Sequence, residues 1–482
     1  MTVGAASGCG HAAVAPPADA SPPPAAAISA VAAPTREPTA EECAGESAVD
    51  VVDHDIALSL EAAPPSIRGR GAIRVRARRA TELVVLDAHE LRVARVAGAL
   101  PLGFRSERGR LCARLPAPLA RGAEAVLHAE WDVPVNRETP HVEADEMWAG
   151  YDAAAWIPTL QDPAQRATLS LRLAVPAEWS ATASGRAVGR TVLASGRVEY
   201  AFALDRPSPP FLFAFAAGRF DEAELDVDGV KLRALGPAGA DLASALTITA
   251  PMLRFFRAQI GVPFPGAEYR EVFVRGEAAQ EAAGFSLLSA ESLDDVRKDP
   301  TEDWIFSHEL AHQWFAWLVP CADFADFWLN EGFATFMVAA AKEQRWGRGA
   351  YDRELALWRK RSTKVHVDGR DAPLSLSGPR AGSTGPRPVY RPPAPGAPSR
   401  VGPRESELQA RGVTYSRGAL VLDKLRTELG AAVFWRGIRR YVEERAWKGA
   451  RSEDLRAALE AVSGRDLRPF FATWVYAPAA DL

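Results

Sequence analysis

The sequence has few cysteines, no long apolar run and no excess of basic residues, and each absence excludes a class of protein. Its 482 residues include four cysteines, which are Cys9, Cys43, Cys112 and Cys321. None of them lies in a CxxC pair, so their spacing implies neither a structural zinc module nor a disulfide framework. No apolar run reaches the length of about 18 residues that a transmembrane helix needs, so we expect no transmembrane segment.

The charge balance argues against nucleic acid as a partner. Lys and Arg number 57 against 61 Asp and Glu, which gives a formal net charge of -4. Such a chain has no basic field to bind a phosphate backbone. With 48% hydrophobic and 24% charged residues, it has the composition of a globular protein with material for two or three packed domains.

Residues 1–45 consist mainly of Ala, Pro, Ser and Gly, so we expect a disordered tether there. Within it, "ASGC" ending at Cys9 resembles the cleavage box of bacterial lipoproteins. Only eight residues precede Cys9, whereas a secretory segment needs a basic start and an apolar stretch of about 7 to 15 residues. Two interpretations stay open: a lipid anchor at Cys9 on a chain whose true start lies upstream, or an accidental match. Localisation is accordingly open between the cell envelope and the cytoplasm.

The apolar pattern changes along the chain from a period of two to a helical period. Residues 46–220 contain short alternating runs between Gly and Pro turns, which predict an antiparallel N-terminal β domain. Residues 221–482 are expected to form a mainly helical domain, interrupted at 366–411 by a flexible insertion rich in Pro, Arg, Gly and Ser. Helices are predicted at 302–319, 327–346, 350–362, 414–429, 431–446 and 452–463. The fold class is therefore α+β.

The string "HELAHQWF" contains two histidines one helical turn apart, His308 and His312, which share a helix face. Zinc in hydrolases binds nitrogen and oxygen ligands and keeps one position for water, and Glu309 would lie beside that water as a proton acceptor. HExxH also arises by chance, on helices whose histidines are merely packed or solvated. Glu331, nineteen positions after His312 in "WLNEGFATF", offers a third ligand from a second helix and favours the metal site.

These strings resemble the signature of the gluzincin aminopeptidases, the family of aminopeptidase N and the leukotriene hydrolase. That signature is HExxH, an eighteen-residue spacer and Glu within W-x-N-E-G-F-A, and all its fixed positions are present. The similarity extends over roughly residues 48–480, without the large C-terminal helical domain of longer relatives, as in a short bacterial-like member. The resemblance implies a thermolysin-like, mainly helical catalytic domain and one zinc ion per chain, bound by His308, His312 and Glu331.

Two further positions follow from the resemblance. Tyr415 in "GVTYSRGAL" matches the tyrosine of the family's Y-x-K/R-G-A string, which donates a hydrogen bond to the oxyanion. The alternative is a core aromatic residue that begins a helix. In "AAQEAAG", Glu281 and Gly284 match the edge strand whose motif is G-x-M-E-N and whose Glu binds the free amino terminus.

This strand departs from the family pattern, because the leading Gly, the Met and the Asn are replaced. Glu281 could instead be a solvated loop glutamate, and Glu277 competes for its role. Relatives supply a second amine-binding residue that aligns near Ala149, where no replacement is identified and Glu146 is merely nearby.

The resemblance implies a zinc aminopeptidase that removes N-terminal residues from peptide substrates, with Glu309 as the proton acceptor. The altered strand leaves a zinc endopeptidase or another gluzincin hydrolase open. A catalytically silent peptide-binding protein is the third hypothesis, which is disfavoured because no catalytic position is lost.

Overall fold

The computed structural model describes residues 35–134, 140–276, 278–376 and 410–478. The strands in these ranges are β1 Val49–Ala62, β2 Pro65–Ala77, β3 Thr81–Asp87, β4 Arg92–Ala97, β5 Phe104–Glu107, β6 Arg110–Leu119, β7 Glu124–Val133, β8 His141–Val142, β9 Glu146–Ala149, β10 Ala167–Val175, β11 Ser180–Ala183, β12 Arg186–Val192, β13 Val198–Ser208, β14 Phe215–Gly218, β15 Phe220–Val227, β16 Val230–Pro237, β17 Glu268–Val274, β18 Ala279–Ala282 and β19 Phe285–Ser289. The α-helices are α1 Leu242–Ile260, α2 Glu291–Lys298, α3 Trp304–Ala311, α4 Trp328–Trp346, α5 Arg348–Val367, α6 Gly418–Leu429, α7 Ala431–Arg445, α8 Ser452–Ser463 and α9 Arg468–Trp474.

The first fourteen strands form three sheets, as the alternating pattern predicts. The largest has the order β12-β13-β10-β1-β2-β7-β4, and the others are β3-β6-β5 and β11-β14-β9-β8. Ile56, Leu58 and Leu60 of β1 are buried in one shared apolar core, while the residues between them are more exposed. The pairing is antiparallel except between β1 and β10, which run parallel. The predicted antiparallel β architecture is therefore confirmed with one exception.

The segment at residues 35–45 differs from the disordered tether expected over 1–45. Cys43 forms a disulfide with Cys112 of β6, and the Thr35 hydroxyl donates a 2.8 Å hydrogen bond to the carbonyl oxygen of Arg114. The sequence does not predict this packing, because the two cysteines lie 69 positions apart and only the folded sheet brings them together. Residues 1–34, including Cys9, and most of the insertion predicted at 366–411 lie outside the described residues.

The C-terminal part combines a mixed sheet with helices around a second apolar core. The sheet has the order β15-β16-β17-β19-β18, so β18 is its edge strand. Every predicted helix is present, with ends that differ by a few residues. These observations confirm the α+β fold class, with a β-rich N-terminal part and a helical C-terminal part. The domain boundary near residue 220 stays a prediction.

None of the helices within the described ranges is long and apolar enough to cross a membrane.

Two glycines let the helices α4 and α6 touch backbone to backbone. A Cβ added to Gly332 of α4 would lie 3.0 Å from the Cα of Gly418, and one added to Gly418 would lie 3.0 Å from the Cα of Gly332. Both neighbouring atoms are main-chain atoms, which cannot move aside as a flexible side chain can. The contact therefore sets the spacing between the helix that carries Glu331 and the turn that carries Tyr415.

We expect Gly332→Ala to destabilise the protein by about 1–3 kcal/mol, because the extra methyl group forces the two backbones apart. Chemical denaturation measures the free energy of unfolding. Gly349→Ala in α5 is the matched control, since an added Cβ there would meet only a side-chain nitrogen of Arg353 at 3.8 Å. That exchange should be neutral or stabilise by up to about 1 kcal/mol. Equal effects of the two substitutions would contradict the close-contact explanation.

Candidate metal centre

Helices α3 and α4 bring three side chains to one point. His308 lies in the last turn of α3 and His312 follows directly after the helix, so both imidazoles lie on one face. Their Nε2 atoms are 3.2 Å apart. Glu331, in the first turn of α4, places its Oε2 atom 3.4 Å from the Nε2 of His308 and 3.5 Å from the Nε2 of His312.

The spacing of these three atoms fits a metal ion. In a tetrahedral zinc site with bonds of about 2.0–2.1 Å, neighbouring ligand atoms lie about 3.3–3.4 Å from one another. The observed distances of 3.2, 3.4 and 3.5 Å surround that value. The Oε2 atom of Glu331 is buried and has no further hydrogen-bond partner among the described residues. These three residues therefore have the donor types and the geometry to hold zinc.

The charges around the ligands also favour a cation. Burial alone would lower the pKa of His312, but the carboxylates of Glu281, Glu331 and Glu309 raise it to about 10. Burial raises the pKa of Glu331, yet His312 and His308 together lower it to about 2. Three carboxyl groups thus face two imidazoles in a buried site, where a bound cation would favour their ionised form.

A second group of side chains, Glu281, Glu309 and His312, also brings its polar atoms within 4.8 Å of one another. It shares His312 with the first group. The first group fits an ion better, because all three of its distances are 3.5 Å or less.

The helix widens directly after His312. Over Gln313–Leu318 it has π-helical geometry, in which the amide of Trp317 donates to the carbonyl of His312 at 3.0 Å. Phe315 leaves helical angles, with φ -108 and ψ 47, and its carbonyl oxygen lies 3.4 Å from the Nδ1 of His312. A carbonyl at Nδ1 orients the ring so that Nε2 faces the Nε2 atom of His308 and the Oε2 atom of Glu331. The apolar period predicts the helix but not this change of pitch.

Two residues that precede Glu331 in the first turn of α4, Trp328 and Asn330, form hydrogen bonds that hold this turn in place. The Oδ1 atom of Asn330 accepts a 3.0 Å hydrogen bond from the amide of Cys321. The indole of Trp328 donates to the hydroxyl of Ser452 at 2.9 Å. Asn330 and Trp328 therefore position Glu331, and their place in the W-x-N-E string was the available sequence signal.

Glu309 and Glu281 lie beside the ligands and are buried, with exposed fractions of 2% and 4%. The Oε2 atom of Glu309 and the Oε1 atom of Glu281 have no hydrogen-bond partner within the described ranges. Glu281 lies on the edge strand β18, and burial raises its pKa to about 7. The alternative of a solvated loop glutamate is therefore wrong for Glu281. Its competitor Glu277 lies outside the described residues.

Gly284 and Gln313 connect the edge strand to the helical segment that carries the two histidines. Gly284 adopts a positive φ of 84° in the tight turn between β18 and β19. Its amide donates to the Oε1 atom of Gln313 at 3.1 Å, and the Nε2 atom of Gln313 donates to the carbonyl of Ala282 at 3.1 Å. Sequence reasoning missed Gln313, although it directly follows the second histidine of the motif.

Tyr415 lies in a π-helical turn, Arg411–Arg417, that leads into α6. Its half-buried ring stacks on the imidazole of His308, with ring centroids 6.0 Å apart and planes inclined by 11°. Glu146, near the expected second amine-binding position, accepts a 2.8 Å hydrogen bond from the amide of Arg275.

Comparisons with known proteins support one family. A family model described as the Peptidase family M1 domain matches residues 244–381 and 403–474. Aminopeptidase M1-C of Oryza sativa subsp. japonica is 25% identical over 446 residues, which cover 88% of this chain and 46% of that protein. Aminopeptidase N of Streptomyces lividans is 26% identical over 249 residues, which cover 49% of this chain and 26% of that protein.

One solved structure shares the fold of this chain over nearly the whole length of both proteins. It is the M1 zinc metallopeptidase from Deinococcus radiodurans, which has a TM-score of 0.68, is 23% identical, and matches over 90% of this chain and 95% of its own. A mutant of that peptidase is bound to a Tyr-Ser-Ala substrate. The present chain spans less than half the length of the curated relatives it matches. The family model, these relatives and the histidine and glutamate signature on two helices agree in making this chain similar to peptidase family M1.

Proposed function

We propose that this protein is a zinc-dependent aminopeptidase that binds one zinc ion per chain and removes N-terminal residues from peptides. The observation that carries the proposal is the triangle formed by the Nε2 atoms of His308 and His312 and the Oε2 atom of Glu331. The aminopeptidase names of the relatives and the peptide bound to the Deinococcus radiodurans enzyme support it.

The chain's own residues have distinct roles in this reaction. Zinc, when bound, supplies a Lewis acid and lowers the pKa of a water molecule towards about 7. Glu309 accepts a proton from the attacking water and passes it to the leaving nitrogen. Burial raises the pKa of Glu309 well above its usual value, which suits a group that must hold a proton between these steps. Tyr415 donates a hydrogen bond to the carbonyl oxygen as negative charge develops there.

Glu281 determines which peptide bond is cleaved. Its unpartnered Oε1 atom is a buried acceptor that a protonated α-amine satisfies with a charge-assisted hydrogen bond. Because Glu281 and Glu309 have oxygens within 4.8 Å of each other, an amine bound there brings only the first peptide bond to the proton acceptor. The endopeptidase alternative requires that this buried carboxylate stays without a cationic partner.

We expect purified protein to contain about one zinc ion per chain and His312→Ala to lose it, because the remaining two ligands bind zinc weakly. Elemental analysis measures the metal content, and removal of the metal should also lower the melting temperature. His128→Ala is the control, since His128 is exposed on β7. Equal zinc content in the two variants would exclude the assigned site.

Glu309→Gln should lower kcat by about 10²–10⁴-fold and leave the zinc content unchanged, because the amide cannot accept the proton. Steady-state kinetics and elemental analysis test the two parts separately. Glu302→Gln, at an exposed glutamate just before α3, should keep wild-type kcat. A Glu309→Gln protein that is fully active would show that another group takes the proton.

Cleavage of aminoacyl amides should require a free amine, because N-acetylation removes the cation that Glu281 binds. The comparison uses each amide in free and N-acetylated form with zinc-loaded protein. Cleavage of both forms at similar rates would support the endopeptidase alternative. No cleavage of either form by zinc-loaded protein would support the catalytically silent alternative.

A further inference from the structure

Gln280 precedes Glu281 on the edge strand β18 and binds it side chain to side chain. The Nε2 atom of Gln280 lies 2.6 Å from the Oε2 atom of Glu281 and 3.1 Å from the carbonyl oxygen of the same residue. An amide nitrogen has two hydrogens, and both are donated to Glu281. Gln280 therefore fixes the orientation of the Glu281 carboxylate.

The two carboxylate oxygens of Glu281 differ in their hydrogen bonding. Oε2 is satisfied by Gln280, whereas Oε1 is buried and has no hydrogen-bond partner within the part of the chain that the structure describes. A buried carboxylate oxygen without a donor is unfavourable, so the free protein holds one acceptor ready for a ligand that donates. A primary ammonium group is such a donor and also compensates the charge.

The Gln280 amide also has an oxygen, Oε1, that takes no part in the contact with Glu281. The Oε1 atom of the Gln280 amide can only accept a hydrogen bond. Within the described ranges, the side-chain hydrogen bonds of Gln280 are the two that its Nε2 atom donates to Glu281. This oxygen is bonded to the same carbon as the Nε2 atom, which lies 2.6 Å from the Oε2 atom of Glu281, so the second acceptor is within a few ångströms of that carboxylate. An ammonium group has three donors, which suits two acceptors on adjacent side chains better than one.

The neighbouring N-terminal part leaves room for the Gln280 side chain. Gly150 follows strand β9, and a Cβ added to it would lie 3.0 Å from the Cγ of Gln280 and 3.1 Å from the Cδ1 of Leu287. Gln280 thus lies against a backbone that has no side chain of its own. Gly150 therefore places no polar side chain beside Glu281, and the Gln280 amide of β18 lies there instead.

We propose that Gln280 is a specificity-determining residue, whose Oε1 atom binds the α-ammonium group of the substrate together with the Oε1 atom of Glu281. This proposal rests on the aminopeptidase function proposed above. It assigns recognition of the free amine to a pair of adjacent side chains on one strand.

The test is Gln280→Met, which keeps the length of the side chain and removes both its donor and its acceptor. Affinities are measured by calorimetry on zinc-loaded Glu309→Gln protein, so that hydrolysis does not interfere. The ligands are a dipeptide with a free amine and its N-acetylated form. We expect the preference for the free amine to fall by about tenfold or more, with little change for the acetylated peptide. Gln259→Met on α1 is the matched control and should keep the preference.

A second variant, Gln280→Lys, keeps a donor for Glu281 but has no acceptor, and its charge competes with the ligand amine. It should reduce the preference for the free amine further than Gln280→Met. Since the preference is a ratio within each variant, a partial loss of folded protein does not affect it. An unchanged ratio in either variant, or an equal loss for both peptides, would overturn the proposal.

Failure of the aminopeptidase function is a separate outcome. It would be seen if wild-type protein cleaved no substrate with a free amine. The calorimetric comparison tests amine recognition separately, because the ratio of the two peptide affinities in each Gln280 variant does not depend on turnover.

Discussion

The site depends on three carboxyl groups that are buried close together. Glu281, Glu309 and Glu331 are at most 4% exposed and lie beside two nearly buried imidazoles. Carboxylates in such surroundings need a compensating positive charge, because desolvation penalises each of them. The proposed function supplies two such positive charges: a metal ion at His308, His312 and Glu331, and a ligand amine at Glu281.

The surrounding structure holds this unfavourable arrangement in place. The π-helical turn after His312 directs a carbonyl at its ring, and Asn330 anchors the start of the helix that carries Glu331. Gln313, in that π-helical turn, connects it to the strand of Glu281 through Gly284 and Ala282. Helix α4 is buried from Trp328 to Lys342, so the Glu331 backbone lies in a long enclosed stretch of helix.

Much of this could be predicted from the sequence, because the strongest signals are local. The alternation in β1 and the helical spacing around His308 require no knowledge of distant contacts. The same holds for the grouping of His308, His312 and Glu331, whose spacing is a local pattern on two helices. The amphipathic period also explains why the predicted helix ends differ from the observed ones by only a few residues.

Other features depend on groups that only the folded chain brings together. The pairing of Cys43 with Cys112, the parallel contact of β1 with β10 and the hydrogen bonds of Gln313 all join separate segments. The burial of Glu281 is of the same kind, since "AAQEAAG" has the composition of an exposed loop. Gln280 shows the limit most clearly: in the sequence it is a departure from the motif, and only its contact with the Glu281 carboxylate gives it a role.

The contact between Gly332 and Gly418 has a consequence for thermal motion. Side chains between two helices usually act as spacers, and each rotamer change alters the gap. Between Gly332 and Gly418 no side chain acts as a spacer, because these two residues have none and their main-chain atoms approach each other directly. The separation of the two segments that carry Glu331 and Tyr415 is therefore insensitive to rotamer exchange, and fluctuations in the surrounding core reach these two groups as a shared movement.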